Sequence, residues 1–367
     1  MRTITLCIIL GLILFALTQP YGWACTTFQL NHEGRIFVGT NYDWGVPDGL
    51  IIINPRGLSK TAMPSYRDNS EVGRPAVWTS KFGSVTFNQY GREMPFGGMN
   101  EAGLVIGTMG LFKKNKFPTP DSRPSIFMQQ WLQYQLDNHD SVNEVVHSES
   151  QLRIRPKKGV HIHYLISDKD GNCGVIEFID GKQVIHVNET MPHKVLTNST
   201  YDDSLRFLEK NKTPDPDRFK SIERFILAAN NLNNYQLEAL ESPLDYSFDL
   251  LKSVSWTAKR ERWTSRTVWS IVYDVNNLQI YFRTFANQEI RSINLNAVDF
   301  SCATPAKVLD VNANLSGDVT DKFVAYTRQL NRDLTANGFN KTVYLPKLPD
   351  EVFDAIARYP DTFVCDR

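Results

Sequence analysis

Apolar and polar positions change rhythm several times along the chain. Ile4 to Leu17 is an apolar run broken only by Thr5 and Gly11. Thr26 to Asn31 then alternates, with Thr26, Phe28 and Leu30 on one face, as a half-buried strand does. Glu33-Gly34 reads as a turn, and Arg35 to Asn41 as the returning strand, which carries Asn41-Tyr42-Asp43-Trp44 back beside Cys25. Further strands are expected over Leu50–Ile53, Trp78–Gln89 and Leu104–Gly107. Others are expected over His161–Ser167, Val175–Ile179, Lys182–Val187 and Lys194–Thr197. Asp170-Gly171 and Asp180-Gly181 are hairpin turns, and Thr267–Asp274 with Leu278–Thr284 forms a hairpin around Asn276-Asn277.

Helical spacing is confined to other stretches. Ser125–Asp137 is one, Ser141 with Glu144 caps a second, and Arg218–Asn230 and Leu237–Leu251 follow. Thr320–Thr335 and Asp350–Tyr359 are more polar helical patterns near the C-terminus. Strands, then helices, then strands again imply an α+β fold, with sheets covered by helices. The glycines of Phe96–Gly107 lie on strand-like sequence with no Lys-Ser/Thr pair after them, so they predict a tight sheet connection and not a phosphate loop. No linker divides the chain. We expect a leader over 1–24, one domain over 25–304, and a helical extension of it over 305–367.

The leader has a basic start at Arg2, a helix break at Pro20, and small residues Gly22 and Ala24 where a signal peptidase needs them. A membrane span needs about 20 apolar residues, more than this run supplies. Gly22, where a lipidated cysteine would be preceded by Leu, argues against a lipoprotein. Cleavage after Ala24 would make Cys25 the first residue of an exported protein, periplasmic or secreted, with no span in the mature chain.

Composition changes this picture little. Hydrophobic residues are 42% and charged residues 22% of the 367, an ordinary globular mixture. Forty basic residues balance forty acidic ones, so no global field points to nucleic acid. Cys25, Cys173, Cys302 and Cys365 are too far apart for a redox or zinc CxxC pattern. Cys302 with Cys365 could be a bridge or two free thiols. His161, His163, His186 and His193 form no metal-ligand set on a helix, and no cofactor or metal is expected.

An N-terminal cysteine carries a nucleophile and a base together. Free thiols have pKa ≈ 8.5 and need activation, and an α-amino group near 7.7–8.0 suits a general base. Asp43 is placed to hold that amine, and an Asn amide with a backbone N–H would stabilise an oxyanion. Cys25-Thr26-Thr27-Phe28, Gly39-Thr40-Asn41-Tyr42-Asp43-Trp44, Gly98-Met99-Asn100-Glu101-Ala102-Gly103-Leu104, Val195-Leu196-Thr197-Asn198 and Glu223-Arg224-Phe225 occur in the order and rough spacing of one group. Over residues 25 to about 300 the chain resembles the choloylglycine hydrolase and penicillin V acylase family of N-terminal-nucleophile hydrolases, with acid ceramidases and N-acylethanolamine acid amidases as more distant relatives.

The resemblance implies a four-layer αββα sandwich and hydrolysis of a small-molecule N-acyl amide through an acyl-enzyme. It makes Cys25 the nucleophile, Asp43 the partner of its amine, and Asn198 and the Gly110 N–H the oxyanion donors. Arg224 matches the late active-site arginine, with Thr40 and Asn100 in support. Where the family usually has Gly-Arg-Asn-Met-Asp, this chain has Thr40 in place of the Arg, a hydroxyl without charge. Each residue has a plainer reading. Cys25 could be a strand cysteine, Asp43 a turn cap, and Asn100 and Asn198 turn residues. Arg224 could be a surface residue, and Asn198-Ser199-Thr200 a glycosylation sequon. Trp44, Trp78, Trp131 and Trp269 read as core or pocket wall. Two rival functions remain: a hydrolase whose Cys25 or Cys173 is activated by a His such as His163, and a non-catalytic binding protein. Loops 55–77 and 111–124 are where specificity is expected, and a homo-oligomer is left open.

Overall fold

Thr26–His32 (β1) and Arg35–Trp44 (β2) pair antiparallel about Glu33-Gly34, whose φ values of 51° and 85° make the two-residue turn that suits strand twist. Phe28 sits opposite Gly39, where a Cβ would lie 2.3 Å from the Phe28 ring; the glycine makes room for a fully buried aromatic. The computed structural model describes residues 24–64, 74–111, 116–155, 160–210, 220–238, 242–260, 263–343, 345 and 347–366. Residues 1–23 of the expected leader, residues 65–73 and 112–115 within the stretches expected to set specificity, and the expected start of the third helical stretch at Arg218 lie outside those residues.

β1 and β2 belong to an eight-stranded sheet in the order Val195–Leu196, β1, β2, Trp263–Asp274, Gln279–Thr284, Arg291–Asn294, Gly317–Asp318, with Thr257–Arg260 paired to Trp263–Asp274. A second, nine-stranded sheet runs Lys182–Val187, Cys173–Ile179, Ile162–Ser167, Val105–Gly110, Pro95–Asn100, Ser84–Asn88, Leu50–Asn54, Lys307–Asp310, Val324–Ala325. Among the described residues there are seven α-helices. Ser221–Glu238 and Pro243–Ser253 pack on the first sheet, and Met128–Asn138 on the second. This is the expected four-layer αββα sandwich.

The period-2 rule divides the core. Along Val105–Gly110, Val105 and Met109 join the cluster between the sheets, while Ile106 joins the cluster under Met128–Asn138 with Trp131 and Leu132. Gly98 is needed for that second layer: a Cβ there would come within 2.7 Å of Thr86 and of the Val85 carbonyl. Trp131 and Trp269 are core, as expected.

Several expected boundaries move. Ser125–Phe127 is a short strand parallel to Arg153–Arg155, and the helix begins at Met128. Trp78–Gln89 is two strands in different sheets, Val77–Thr79 and Ser84–Asn88. The Leu237–Leu251 helix divides, because Pro243 starts a new helix at its first turn. The helix expected from Thr320 begins at Arg328, where Thr327 accepts a capping hydrogen bond from the Leu330 N–H. The C-terminal stretch carries its two helices, Arg328–Lys341 and Asp350–Arg358, and also adds strands to both sheets. Cys302 and Cys365 are bonded, with Cα atoms 5.6 Å apart, tying the tail to the sandwich. No helix among the described residues is long and apolar enough to cross a membrane.

Candidate active site

Cys25 immediately precedes β1. Because Thr26 registers with Asn41, the cysteine lies alongside Tyr42 and Asp43 at the end of β2. Strand alternation puts Cys25 on the face of Thr27 and Thr40, which looks toward the second sheet at Gly107; a Cβ there would lie 3.3 Å from Thr27 Oγ1 and 3.6 Å from Thr40 Oγ1. Cys25 is 3% exposed. Burial, then the Asp43 carboxylate, push it up to about 12, opposed by the N–H groups of Asp43 and Gly110 and by Arg224.

Asn198 closes the site from the edge of the first sheet. Its Nδ2 donates to the Gly110 carbonyl at 2.9 Å, which leaves the second amide hydrogen unassigned. Its Oδ1 accepts from Arg224 Nη2 at 2.7 Å, and its backbone N–H donates to Ser221 Oγ at 2.8 Å. These bonds fix which way the amide points. Arg224, on Ser221–Glu238, is 1% exposed, and its Nη1 donates to the Cys25 carbonyl at 2.6 Å and to Thr26 Oγ1 at 2.7 Å. It is a buried guanidinium, not a surface residue. Asn198 is 2% exposed and hydrogen-bonded, which leaves the sequon no accessible amide in the folded chain.

Asp43 is fully buried. Thr267 Oγ1 donates to its Oδ1, while its Oδ2 is buried with no hydrogen-bond partner. Burial pushes the carboxyl up to about 7, partly offset by Arg224 and Thr267. Thr267 reaches it through a β-bulge: Thr267 registers with Asp43 and Trp269 with Tyr42, leaving Val268 as the extra residue. No feature of the sequence pattern singles out Thr267 or Ser221, and Thr26 enters there only as part of the Cys25-Thr26-Thr27-Phe28 motif, because bulge position and cross-layer contacts are tertiary outcomes.

This environment has a consequence for stability in the chain that retains Ala24. The folded carboxyl, near 7, lies above its ordinary 3.8. The folded state therefore binds the proton more tightly, and stability falls as pH rises from about 4 through about 7. Asp43→Asn should flatten that slope and gain up to about 4 kcal/mol at pH 8, while matching the parent near pH 4. Urea titrations of both chains at the two pH values measure it; equal pH slopes would refute it.

Thr40 lies beside the site, 7% exposed, accepting from Thr27 Oγ1 at 3.2 Å. The structure does not bring Asn100 there. Its Nδ2 donates to the carbonyls of Leu136 and His139, and its Oδ1 accepts from the N–H groups of Ala102 and Leu104; it locks the turn after Pro95–Asn100 to the Met128–Asn138 helix. A His-activated cysteine finds no support either. Both ring nitrogens of His163 are engaged, by Glu177 and the Thr197 carbonyl, and Cys173 is a buried strand residue pushed up to about 12 by burial. Among the described residues no cluster of side chains is arranged to hold a metal.

Trp44, next after Asp43, separates two clefts. One, of about 550 Å³, is lined by Trp44, Trp263 and Phe285 and by the cations Lys259, Arg266 and Lys341. The other is apolar, between Trp44, Tyr90, Phe96, Val160 and Leu345. Arg266 stacks over Phe285 at 4.2 Å, and Lys341 pairs with Asp48 at 2.8 Å.

Residues 25–218, just over half of the chain, match the model of the linear amide C–N hydrolases, choloylglycine hydrolase family. The chain belongs to the choloylglycine hydrolase family. It is a hydrolase of linear amide carbon–nitrogen bonds. A penicillin V acylase of Pectobacterium atrosepticum is 28% identical over 282 residues, 65% of this chain and 73% of that one. The structure of a penicillin V acylase from Agrobacterium tumefaciens superposes with a TM-score of 0.69 at 25% identity, covering 83% of this chain and 98% of that one. A variant of the conjugated bile acid hydrolase from Clostridium perfringens shares the fold, with a TM-score of 0.66 at 20% identity over 80% of this chain and 98% of that one. The family's stacked antiparallel sheets are those described above.

Proposed function

We propose that this choloylglycine hydrolase family member is an exported amidase whose mature N-terminus is Cys25. It would cleave a small N-acyl amide that carries a carboxylate or similar anionic group. The observation that carries the reading is that one buried guanidinium, Arg224, binds both the Cys25 carbonyl and the Asn198 side chain, whose amide in turn reaches Gly110. Removal of residues 1–24 frees the α-amino group beside Asp43, whose Oδ2 is otherwise unpartnered. The amine takes the thiol proton, and the thiolate attacks the amide carbonyl. Asn198 Nδ2 and the Gly110 N–H hold the oxyanion, and the ammonium returns its proton to the leaving nitrogen. Water activated by the same amine then hydrolyses the thioester. The leader pattern and the Cys302–Cys365 bond support an oxidising, exported location.

The two clefts support the substrate class. The apolar one, with room for only about 40 Å³, offers apolar surface to one end of an acyl group, and Lys259 and Arg266 of the larger one suit an anion, with no carboxylate among the described residues that line it. N-phenylacetylglycine is therefore expected to exceed N-phenylacetylglycinamide in kcat/KM by about tenfold at low salt, since a charge-assisted contact contributes ~1.5–3 kcal/mol. Arg266→Ala should erase most of that preference through KM. Equal turnover of both substrates would refute the anionic assignment, and turnover of no N-acyl amide would refute the function.

A further inference from the structure

The two oxyanion donors stand on different sheets. Gly110 ends a strand of the second sheet, and Asn198 follows the edge strand of the first. Their separation therefore depends on how the sheets are held together at this end. Asn198 Nδ2 to the Gly110 carbonyl is one cross-sheet bond. A second lies one residue away. His163, on Ile162–Ser167, registers with Met109 beside Gly110, and its Nε2 lies 2.7 Å from the Thr197 carbonyl. Its Nδ1 lies 2.8 Å from Glu177 Oε1. All three residues are fully buried.

The donor roles follow from the partners. A carbonyl only accepts, so Nε2 carries a proton, and a second proton lies on the line between Nδ1 and Glu177. Glu177 is anchored in turn by the Tyr201 N–H, at 3.1 Å to Oε2. On the other side, Thr197 Oγ1 donates to the Ser221 carbonyl at 2.9 Å, and Ser221 Oγ accepts the Asn198 N–H. The Thr197–Asn198 peptide is thus held to a helix by Ser221 and to the opposite sheet by His163. The Tyr201 N–H ties the same segment to Glu177 three residues further on, so the His163 bond is the tie to the second sheet made by the peptide that leads directly into Asn198.

We propose that His163 is a positioning residue for Asn198, acting through the Thr197 carbonyl, with Glu177 setting the ring. This rests on the reading of Asn198 as an oxyanion donor. His163 touches no reacting atom.

Glutamine and asparagine separate its two contacts, because a Gln amide reaches the place of Nε2 and an Asn amide only that of Nδ1. His163→Gln should keep kcat within a few-fold of the parent. His163→Asn should lower kcat by up to about 10²-fold with KM little changed, the cost of a small displacement at a reacting centre. His163→Asn as active as His163→Gln would overturn the proposal. So would equal losses in both that follow melting temperature, since those mark a packing role. Asn198→Ala serves as the control. If it is inactive while His163→Asn is active, only the His163 proposal falls. If it turns over at the parent rate, the oxyanion reading falls with it.

Discussion

The chain that retains Ala24 is expected to be inactive, and so is the Cys25→Ala mature enzyme. In the unprocessed chain the nitrogen of Cys25 is an amide and cannot take a proton. The thiol, pushed up to about 12, would be ionised in roughly one molecule in 10⁵ at pH 7. Arg224 and two N–H groups do not offset the burial, so direct ionisation is too rare to support turnover. Freed of residue 24, the same cysteine gains a base within its own backbone. Removing the nucleophile of a comparable hydrolase costs about 10⁶ in kcat. We expect losses on the order of 10⁵ to 10⁶ for Cys25→Ala and of about 10⁴ to 10⁵ for a chain with one residue before Cys25. The assay compares purified chains of defined intact mass on one N-acyl amide. Activity of the extended chain within tenfold of the mature one would remove the α-amine from the mechanism.

That expectation was legible because it depends on one junction. The leader ends where alternation begins, and Cys25 is the residue at the join. The two-sheet architecture was legible for a similar local reason: alternating runs and turn pairs such as Glu33-Gly34 and Asp180-Gly181 specify hairpins without help from distant residues. What stayed hidden was decided at long range. Lys307–Asp310 is a short strand held between the two-residue strand Val324–Ala325 and Leu50–Asn54, the latter more than 250 residues earlier in the chain. Thr267 acquires its contact with Asp43 from a bulge. Asn100 carries a motif match but no partner in the site, because a buried Asn with four bonding positions serves a turn as well as it serves an oxyanion. Arg224 was undecided in sequence, since helix periodicity gives a face but not what covers it. Its burial under β1 decides the matter, because an enclosed guanidinium needs the acceptors that Cys25, Thr26 and Asn198 provide.

The same pairing predicts large losses for Asn198→Ala and for Arg224→Lys. An amide aimed at the developing oxyanion acts only once charge has moved onto oxygen, so its loss should fall on kcat and leave KM nearly unchanged. A drop of about 10² to 10³ in kcat is expected. Arg224 cannot be read alone. It orients Asn198 through Oδ1, and it also binds the Cys25 carbonyl and Thr26 Oγ1. Arg224→Lys keeps a charge but loses the planar fork that serves three acceptors, so its loss should equal or exceed that of Asn198→Ala. The double variant decides how they act. If Arg224 works by holding Asn198, the double variant loses little more than the worse single one, because an amide already absent cannot be misdirected. If the effects multiply, Arg224 acts on the thiol and the Cys25 carbonyl independently, and the hydrogen bond between the two side chains contributes structure without catalysis.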